Sequence, residues 1–482
     1  MTLFSRELED SEETSPLLRV PTEEEGTAKS MFWEEVWVTA KKSAPVAATY
    51  ILQNSLQTGC VIVVGRLGPE ELAACAFAFM FVMVTGWVMA LGSTTALDTL
   101  CSQSWTGAED RHEVGIHLQR ALMILSLMYI PIALLWFFAE PVLLALGQEP
   151  ELSRMSALFM RWLILGAPGY IYFEAIKKYL QAQGIMHAST LVLMVTSPLN
   201  LLYLYLLVPK FGFIGGAIAI CITYWSMLIV LIGYAVFING SEGWGGWSRK
   251  SLQQWGTFLK LAIAGILMVG SEWIAFEIVA ILAGWLGTVP LAAQSVVMTA
   301  DQILNTIPFG ISIATSNRVG NLLGLGCARR ARMSSYASAF LAATMGTIML
   351  IALMLSRTTL PLLFSSSPEV VDLVARVLPY VALFQIADGL ANACGGALRG
   401  MGRQKIGAWC NLIGYYVLAL PMGIALAFKG RMGLIGLWVG QCAALCIVGA
   451  LELAVIALGT NWRMEVELCK KRVAMGEICG GH

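Results

Sequence analysis

Long apolar segments recur along the whole chain, and the short polar stretches between them hold most of the charged residues. Several of these segments contain about 20 residues, the length that an α-helix needs to cross a bilayer core of about 30 Å. Because lipid offers no hydrogen-bond partner to an exposed backbone, such segments must cross the bilayer as closed helices. The sequence therefore predicts an all-α membrane protein rather than a soluble one.

Composition and charge narrow the possible functions. Hydrophobic residues make up 57% of the 482 positions and charged residues 13%, whereas a soluble domain carries about a quarter charged residues. The formal net charge is zero, so no nucleic-acid partner is expected. The eleven cysteines form no CxxC pair and no Cys/His spacing, so neither a metal site nor a disulfide scaffold is predicted. The acidic first 30 residues are not a cleavable signal peptide, so the first apolar segment is expected to serve as an uncleaved signal.

Hydropathy and turn residues predict twelve spans, at residues 44–65, 72–100, 117–138, 153–175, 188–208, 213–237, 257–285, 290–315, 333–356, 372–397, 405–428 and 433–459. They divide the chain into five parts: a disordered acidic tail (1–35), a first lobe (36–238), a linker (239–256), a second lobe (257–460) and a C-terminal tail (461–482). Internal prolines are tolerated in such helices because neighbouring spans satisfy the freed backbone groups.

The lysines and arginines predict an orientation. With both termini in the cytoplasm, most of the 31 basic residues fall on the cytoplasmic side, which fits the positive-inside rule. The glycosylation sequon Asn239-Gly240-Ser241 then lies in a cytoplasmic loop and is expected to stay unmodified.

The second half of the chain repeats the first at an offset of 218–221 residues. Matching positions occur in the same order, for example Gly65 with Gly284, Pro150 with Pro368, and Gly212 with Gly433. Each repeat holds six predicted spans, so both enter the membrane from the same side and are related by an axis along the membrane normal. Two such bundles that rock about a central site are typical of a transporter rather than of a receptor or channel.

Acidic residues inside the predicted spans are candidates for function, because a charge at membrane depth costs several kcal/mol. The primary candidates, all in the second lobe, are Glu272, Glu277, Asp301 and Asp388. Each has a structural alternative, such as a local cap or an ion pair. The secondary candidates are Asp98, Gln53, Asn54, Gln294, Tyr415 and Tyr416. Glu174 and Glu452 are expected to lie at the membrane interface or to pair with a lysine.

Carboxyl groups in a half-dry cavity suit antiport. Desolvation favours their neutral form, so they can gain and lose a proton near neutral pH. A carboxylate that neutralises an organic cation cannot hold a proton at the same time, and this exclusion couples the two movements. Aromatic residues such as Trp273 and Phe276 can add cation–π contacts worth about 0.5–2 kcal/mol each, although packing against lipid is an equal alternative for them.

Several stretches together resemble the multidrug and toxic compound extrusion (MATE) family, especially its fungal and animal branch, over roughly residues 35–465. They are Ala96–Gln103, Trp244–Ser248, Glu272–Glu277, Arg318–Asn321, Gly395–Gly402, Tyr415-Tyr416 and Pro421–Gly423. The resemblance implies two six-helix lobes in a V shape and export of organic cations coupled to H⁺ or Na⁺. It places the family's cation sites at Glu272, Glu277 and Asp388. Two features depart from the family pattern: the first span has no aspartate, and Thr299 stands where close animal relatives carry a glutamate, so whether Asp301 replaces it is open.

Other functions are weaker matches. A lipid or lipid-linked-sugar flippase, or an organic-anion exporter, needs a cationic cavity, whereas the buried charges here are acidic. A membrane-embedded enzyme is not expected, because the four histidines (His112, His117, His187 and His482) form no nucleophile–base or metal-ligand cluster. No cofactor is expected beyond the coupling ion. The expected partners are small organic cations or xenobiotics and membrane lipids, and a monomer is expected.

The N-terminal tail carries one sorting pattern. Glu13-Thr-Ser-Pro-Leu17-Leu18 matches an acidic dileucine signal for the vacuole or lysosome. Residence in a vacuolar or lysosomal membrane and residence in the plasma membrane are both compatible with an antiporter.

Overall fold

The computed structural model describes residues 27–365 and 367–478, which fold into helices and connecting turns with no β-strand among them. The dileucine pattern at Glu13–Leu18 and His482 lie outside the described residues. Twelve long helices follow one another in the described ranges: Ala28–Val64 (α1), Pro69–Gly107 (α2), Glu113–Phe137 (α3), Pro150–Ala182 (α4), Ala188–Phe211 (α5), Phe213–Phe237 (α6), Trp255–Leu286 (α7), Thr288–Gly324 (α8), Ala328–Leu355 (α9), Pro368–Met401 (α10), Gln404–Lys429 (α11) and Leu434–Ala457 (α12). A thirteenth, Trp462–Ile478 (α13), follows α12.

Ten of the first twelve helices are long and apolar enough to cross a membrane, all except α1 and α4. Helices α1 and α4 contain 37 and 33 residues, but they carry more polar side chains. Large apolar side chains remain on the outer surface, for instance Phe237 and Leu458, which are 86% and 89% exposed. Such a surface suits lipid, because lipid chains are as apolar as these side chains. The twelve-span count stays a prediction.

The start of α1 corrects the predicted disordered tail of residues 1–35. The helix begins at Ala28, with Thr27 as its N-cap, whose side chain accepts a hydrogen bond from the Ser30 backbone N–H (3.4 Å). Glu35 is fully buried and is paired with two arginines of the second half. Residues 28–35 are therefore ordered by long-range ion pairs, which hydropathy does not report.

The hydrophobic core has two large parts, the first of which extends past the predicted linker (239–256) into the start of α7. One cluster is built from residues between Leu56 and Ala262, and another from residues between Ala275 and Val448. The two parts meet where α2 crosses α7: a Cβ on Gly265 would lie 2.3 Å from the carbonyl oxygen of Gly92. Only glycine allows this backbone-to-backbone approach, so the crossing is fixed by two residues without side chains.

Wider helical turns interrupt α2 and α11. Residues Met83–Trp87 and Ile413–Ala419 form π-helical turns. Such turns redirect side chains and are frequent at functional sites. Here they orient Met83, Trp87 and Tyr415 into a cavity between the two halves.

Candidate functional site

A cavity of about 360 Å³ lies between α1, α2 and α4 of the first half and α7, α8, α10, α11 and α12 of the second. The first half lines it with neutral side chains: Tyr50, Gln53, Asn54, Gln57, Phe79, Met80, Met83, Trp87, Leu91 and Tyr170. The second half contributes every carboxyl group among the described lining residues: Glu272, Glu277, Asp301, Asp388 and Glu452. Arg399 is the lone cation in that described lining. The wall of the second half is therefore strongly acidic and faces a neutral wall.

Asp388 sits at the centre of the acidic wall, held by two asparagine amides. Asn305 donates to Asp388 Oδ2 at 3.2 Å, and Asn392 donates to Oδ1 at 3.0 Å. Asn305 lies at the break between the two segments of α8, and Asn392 lies one turn after Asp388 on α10. These neutral donors orient the carboxyl group and leave its charge free to act on a cation in the cavity.

Asp301 is the second buried aspartate of this wall. Its Oδ1 accepts a hydrogen bond of 2.7 Å from Gln385 Nε2. Two residues earlier, Thr299 is exposed on the outer side of α8 and donates to the carbonyl of Ser295 (2.8 Å). On this helix the cavity-facing acid is thus Asp301, and position 299 does not line the cavity.

Glu272 and Glu277 on α7 also line the cavity, and both are partly exposed. An aromatic group lies beside them: Phe276 packs against Phe384 and Tyr415, with ring centroids 5.7 and 6.3 Å apart. Carboxylates next to aromatic faces provide both the charge and the cation–π surface that an organic cation needs.

The first half keeps its buried charges paired beside the cavity. Lys177 Nζ donates to Glu174 Oε1 at 2.7 Å, and Gln53 Nε2 donates to the same oxygen at 2.8 Å. Lys178 Nζ lies 2.9 Å from Asp98 Oδ2. Gln53 is the member of this network that reaches the cavity.

Three secondary candidates do not line the cavity. Asp98 is held in the ion pair with Lys178, Gln294 accepts a bond from Trp438 Nε1 (2.8 Å), and Tyr416 donates to the carbonyl of Ser271 (3.1 Å). The other three, Gln53, Asn54 and Tyr415, do line it.

Two lining residues were missed by the sequence analysis. Glu452 is 1% exposed, and neither of its carboxyl oxygens has a hydrogen-bond partner among the described residues, so the predicted interfacial or lysine-paired position is wrong. Arg399 is one of the basic residues that the positive-inside count places at a cytoplasmic helix end, yet it reaches the cavity, where its Nη2 donates to Ser312 Oγ at 2.6 Å. The sequence did offer a signal for both residues: Glu452 and Arg399 each lie within two helical turns of the end of an apolar helix.

Hydrogen bonds between the halves close one end of the cavity. Thr99 Oγ1 donates to the carbonyl of Arg399 (2.5 Å), Gln103 Nε2 to that of Gly400 (2.8 Å), and Thr106 Oγ1 to that of Asn321 (2.8 Å). We call this set of contacts, together with the Glu35 ion pairs described next, the seal. The seal joins the start of α1 and the end of α2 to α8, α9 and α10, so the two halves are held together at that end.

The Glu35 ion pairs add charge to the seal. Arg318 contacts Glu35 Oε1 and Oε2 at 2.6 and 2.9 Å, and Arg330 Nε contacts Oε1 at 2.6 Å. Arg330 also pairs with Glu34, whose side chain is 54% exposed. Burial opposes the charged form of Glu35, but the hydrogen bonds and charges of the two arginines outweigh it and lower its pKa below the usual range.

Comparison with known proteins agrees with this architecture. The MatE family model matches residues 45–206 and 265–425, two segments whose spacing follows the repeat seen in the sequence. An uncharacterized transporter of Schizosaccharomyces pombe, C4B3.13, is 40% identical over 96% of this chain and 87% of its own length. Human multidrug and toxin extrusion protein 1 is 34% identical over 90% of this chain and 76% of its own length. The crystal structure of the eukaryotic MATE transporter AtDTX14 superposes with a TM-score of 0.84 at 32% identity, covering 91% of this chain and 100% of that one.

The family matches and the apolar helices together define a multi-pass integral membrane protein. The two-segment family match and the fungal, animal and structural relatives agree with one another. The chain therefore belongs to the MATE family of membrane transporters.

Proposed function

We propose that the chain is a secondary active transporter that exports organic cations and xenobiotics in exchange for protons or sodium ions. One observation carries the proposal: the cavity has an acidic wall of five carboxyl groups, a single arginine and several aromatic rings among its described lining residues. That chemistry attracts a lipophilic cation and repels an organic anion or the phosphate of a lipid-linked sugar. The name of the animal relatives, multidrug and toxin extrusion protein, is consistent with such cargo.

The acidic wall couples the two movements by exclusion. With a proton on Asp388 or Glu272, the wall is less negative and binds an organic cation poorly. When the cation enters, its charge replaces the proton, which leaves to water. One pH unit across the membrane is worth about 1.4 kcal/mol per proton, enough for about tenfold accumulation. A sodium ion bound to the same carboxylates would exclude the organic cation in the same way.

Alternating access requires the two halves to rock. We propose twelve spans in two six-helix lobes arranged as a V, with both termini in the cytoplasm and no partner subunit required. In that topology the seal is on the cytoplasmic side, so this conformation faces outward. A vacuolar, lysosomal or plasma membrane is compatible with export from the cytoplasm. A glycan found on Asn239 in cells would reverse this orientation.

The test is uptake of ethidium, a fluorescent cation, into proteoliposomes with an imposed pH gradient, repeated with a sodium gradient. We expect at least two of the variants Glu272→Gln, Glu277→Gln and Asp388→Asn to abolish gradient-driven uptake while still inserting. The matched control is Asp372→Asn, an exposed acid on the same helix as Asp388 that is paired with Arg376. If all three cavity variants kept full coupled uptake, or if a fluorescent anion were carried instead, the proposal would be wrong.

A further inference from the structure

Glu452 is an acidic lining residue that is buried without a hydrogen-bond partner among the described residues. It lies on α12, is 1% exposed, and both carboxyl oxygens lack a hydrogen-bond partner among the described residues. An ionised carboxylate buried in this way is costly unless it is paired and hydrogen-bonded. In this conformation Glu452 is therefore expected to hold a proton.

The space around Glu452 is made by two glycines on neighbouring helices. A Cβ on Gly407 of α11 would lie 3.4 Å from Glu452 Oε1 and 2.8 Å from Met268 Cε. A Cβ on Gly395 of α10 would lie 3.8 Å from Oε2. The carboxyl group thus occupies a gap between α7, α10 and α11 that opens on the cavity.

Arg399 is the cation that acts on this carboxyl group. The charged and titratable groups within electrostatic reach of Glu452 are Arg399 and Cys394 on α10, Glu272 on α7, and Cys410 and Tyr415 on α11. Arg399 Nη2 donates to Ser312 Oγ, whereas Arg399 Nε is buried without a hydrogen-bond partner in the part of the chain that the structure describes. The carbonyl of the same residue accepts the Thr99 bond of the seal.

We propose that Glu452 is a proton-carrying residue that links release of its proton to opening of the seal. When the halves part, the Thr99–Arg399 bond breaks and the end of α10 is free to move. Arg399 then pairs with Glu452, whose O–H bond breaks as water on the newly opened side accepts the proton. This role rests on the proposed antiport and adds to it a carrier separate from Glu272 and Asp388.

Because the sealed state holds the extra proton, raising the pH favours opening. A fully linked proton changes the open-to-sealed ratio by up to about tenfold per pH unit. Ser102 is a suitable reporter position, since it is fully buried and its hydroxyl lies against Gly320 of the other half. In a Ser102→Cys protein, labelling of position 102 by a charged maleimide, read by peptide mass spectrometry, measures opening.

The experiment compares labelling between pH 6 and pH 8 in the full chain carrying Ser102→Cys, with and without Glu452→Gln. The thiolate fraction of the reporter cysteine changes equally with pH in both proteins. The ratio of their labelling rates therefore reports only the coupling between the Glu452 proton and opening of the seal. We call the change in labelling rate per pH unit the pH slope. We expect Glu452→Gln to lower this slope by up to tenfold per pH unit, and Glu452→Asp to retain it. Arg399→Gln should lower the slope in the same way, so the outcome does not depend on one variant folding.

Glu465→Gln is the matched control. Glu465 is also buried with one unpartnered oxygen among the described residues, but it lies on α13, outside the cavity, 3.4 Å from Arg403. It should leave the slope unchanged. Unchanged slopes in both Glu452→Gln and Arg399→Gln, with coupled ethidium uptake intact, would show that Glu452 carries no such proton while the antiport stands. Absence of any gradient-driven uptake in the parent protein would instead overturn the antiport and with it this role.

Discussion

Removing the charge of Glu35 should open the seal. The Glu35→Gln change removes the carboxylate that pairs with Arg318, a buried cation that is 1% exposed. Removing one partner of a buried ion pair costs about 3–5 kcal/mol. If opening separates Glu35 from the second half, this cost falls on the sealed state alone. At about 1.4 kcal/mol per factor of ten, the open-to-sealed ratio should rise roughly 150- to 5,000-fold.

The Ser102→Cys labelling assay measures that change directly, in detergent or in nanodiscs at constant pH. Glu34→Gln is the control, because Glu34 is on the same helix and pairs with Arg330 at a half-exposed position. An exposed pair is worth about 0–1 kcal/mol, so labelling should rise by no more than about fivefold. If a folded Glu35→Gln protein labelled as slowly as Glu34→Gln, the ion pairs would not hold the halves together.

Three further outcomes follow. Because the two arginines lower the pKa of Glu35, its contribution to the stability of the sealed state is present above its unfolded pKa and is lost only as the pH falls through the lower folded value. The pH dependence of labelling between pH 6 and 8 should therefore persist in Glu35→Gln. Gly265→Ala should lower the free energy of unfolding in detergent by about 1–3 kcal/mol, because its Cβ would lie 2.3 Å from a carbonyl oxygen of α2. Gly284→Ala on the same helix is the control; its Cβ meets only ordinary contacts, so a thermal melt should show no change. Lys177→Met should lower the free energy of unfolding by about 3–5 kcal/mol, because it leaves the buried Glu174 carboxylate without its lysine. Adding Glu174→Gln should recover part of this loss, which a thermal melt of the double variant measures.

Intramembrane acids were an informative sequence signal for the cavity. Glu272, Glu277, Asp301 and Asp388 were selected because a charge at membrane depth is costly, and all four line one cavity. The repeat offset predicted two similar halves, and the family model matches one segment in each. The arrangement of the halves as two lobes stays a prediction. The transport role of these acids stays a prediction.

Contacts between distant residues were beyond the reach of local patterns. Glu35 and Arg318 are 283 positions apart, and each taken alone has an ordinary local explanation, as a tail acid and a cytoplasmic positive charge. Glu452 lies close to the end of α12, where an acid usually reaches water, and only the packing of α7, α10 and α11 over it makes it buried. Periodicity and hydropathy assign a residue to a helix, but they do not say what covers that helix.

If the acidic wall exchanges one cation for another, the exchange can also be driven in reverse. Proteoliposomes holding a pH dye and a sodium dye, with no initial ion gradient, are given external tetraethylammonium. Entry of this cation should drive protons or sodium ions out of the lumen, and Glu272→Gln with Asp388→Asn should abolish that efflux. Tetraethylammonium entry with neither ion leaving, or equal efflux in the double variant, would contradict the account.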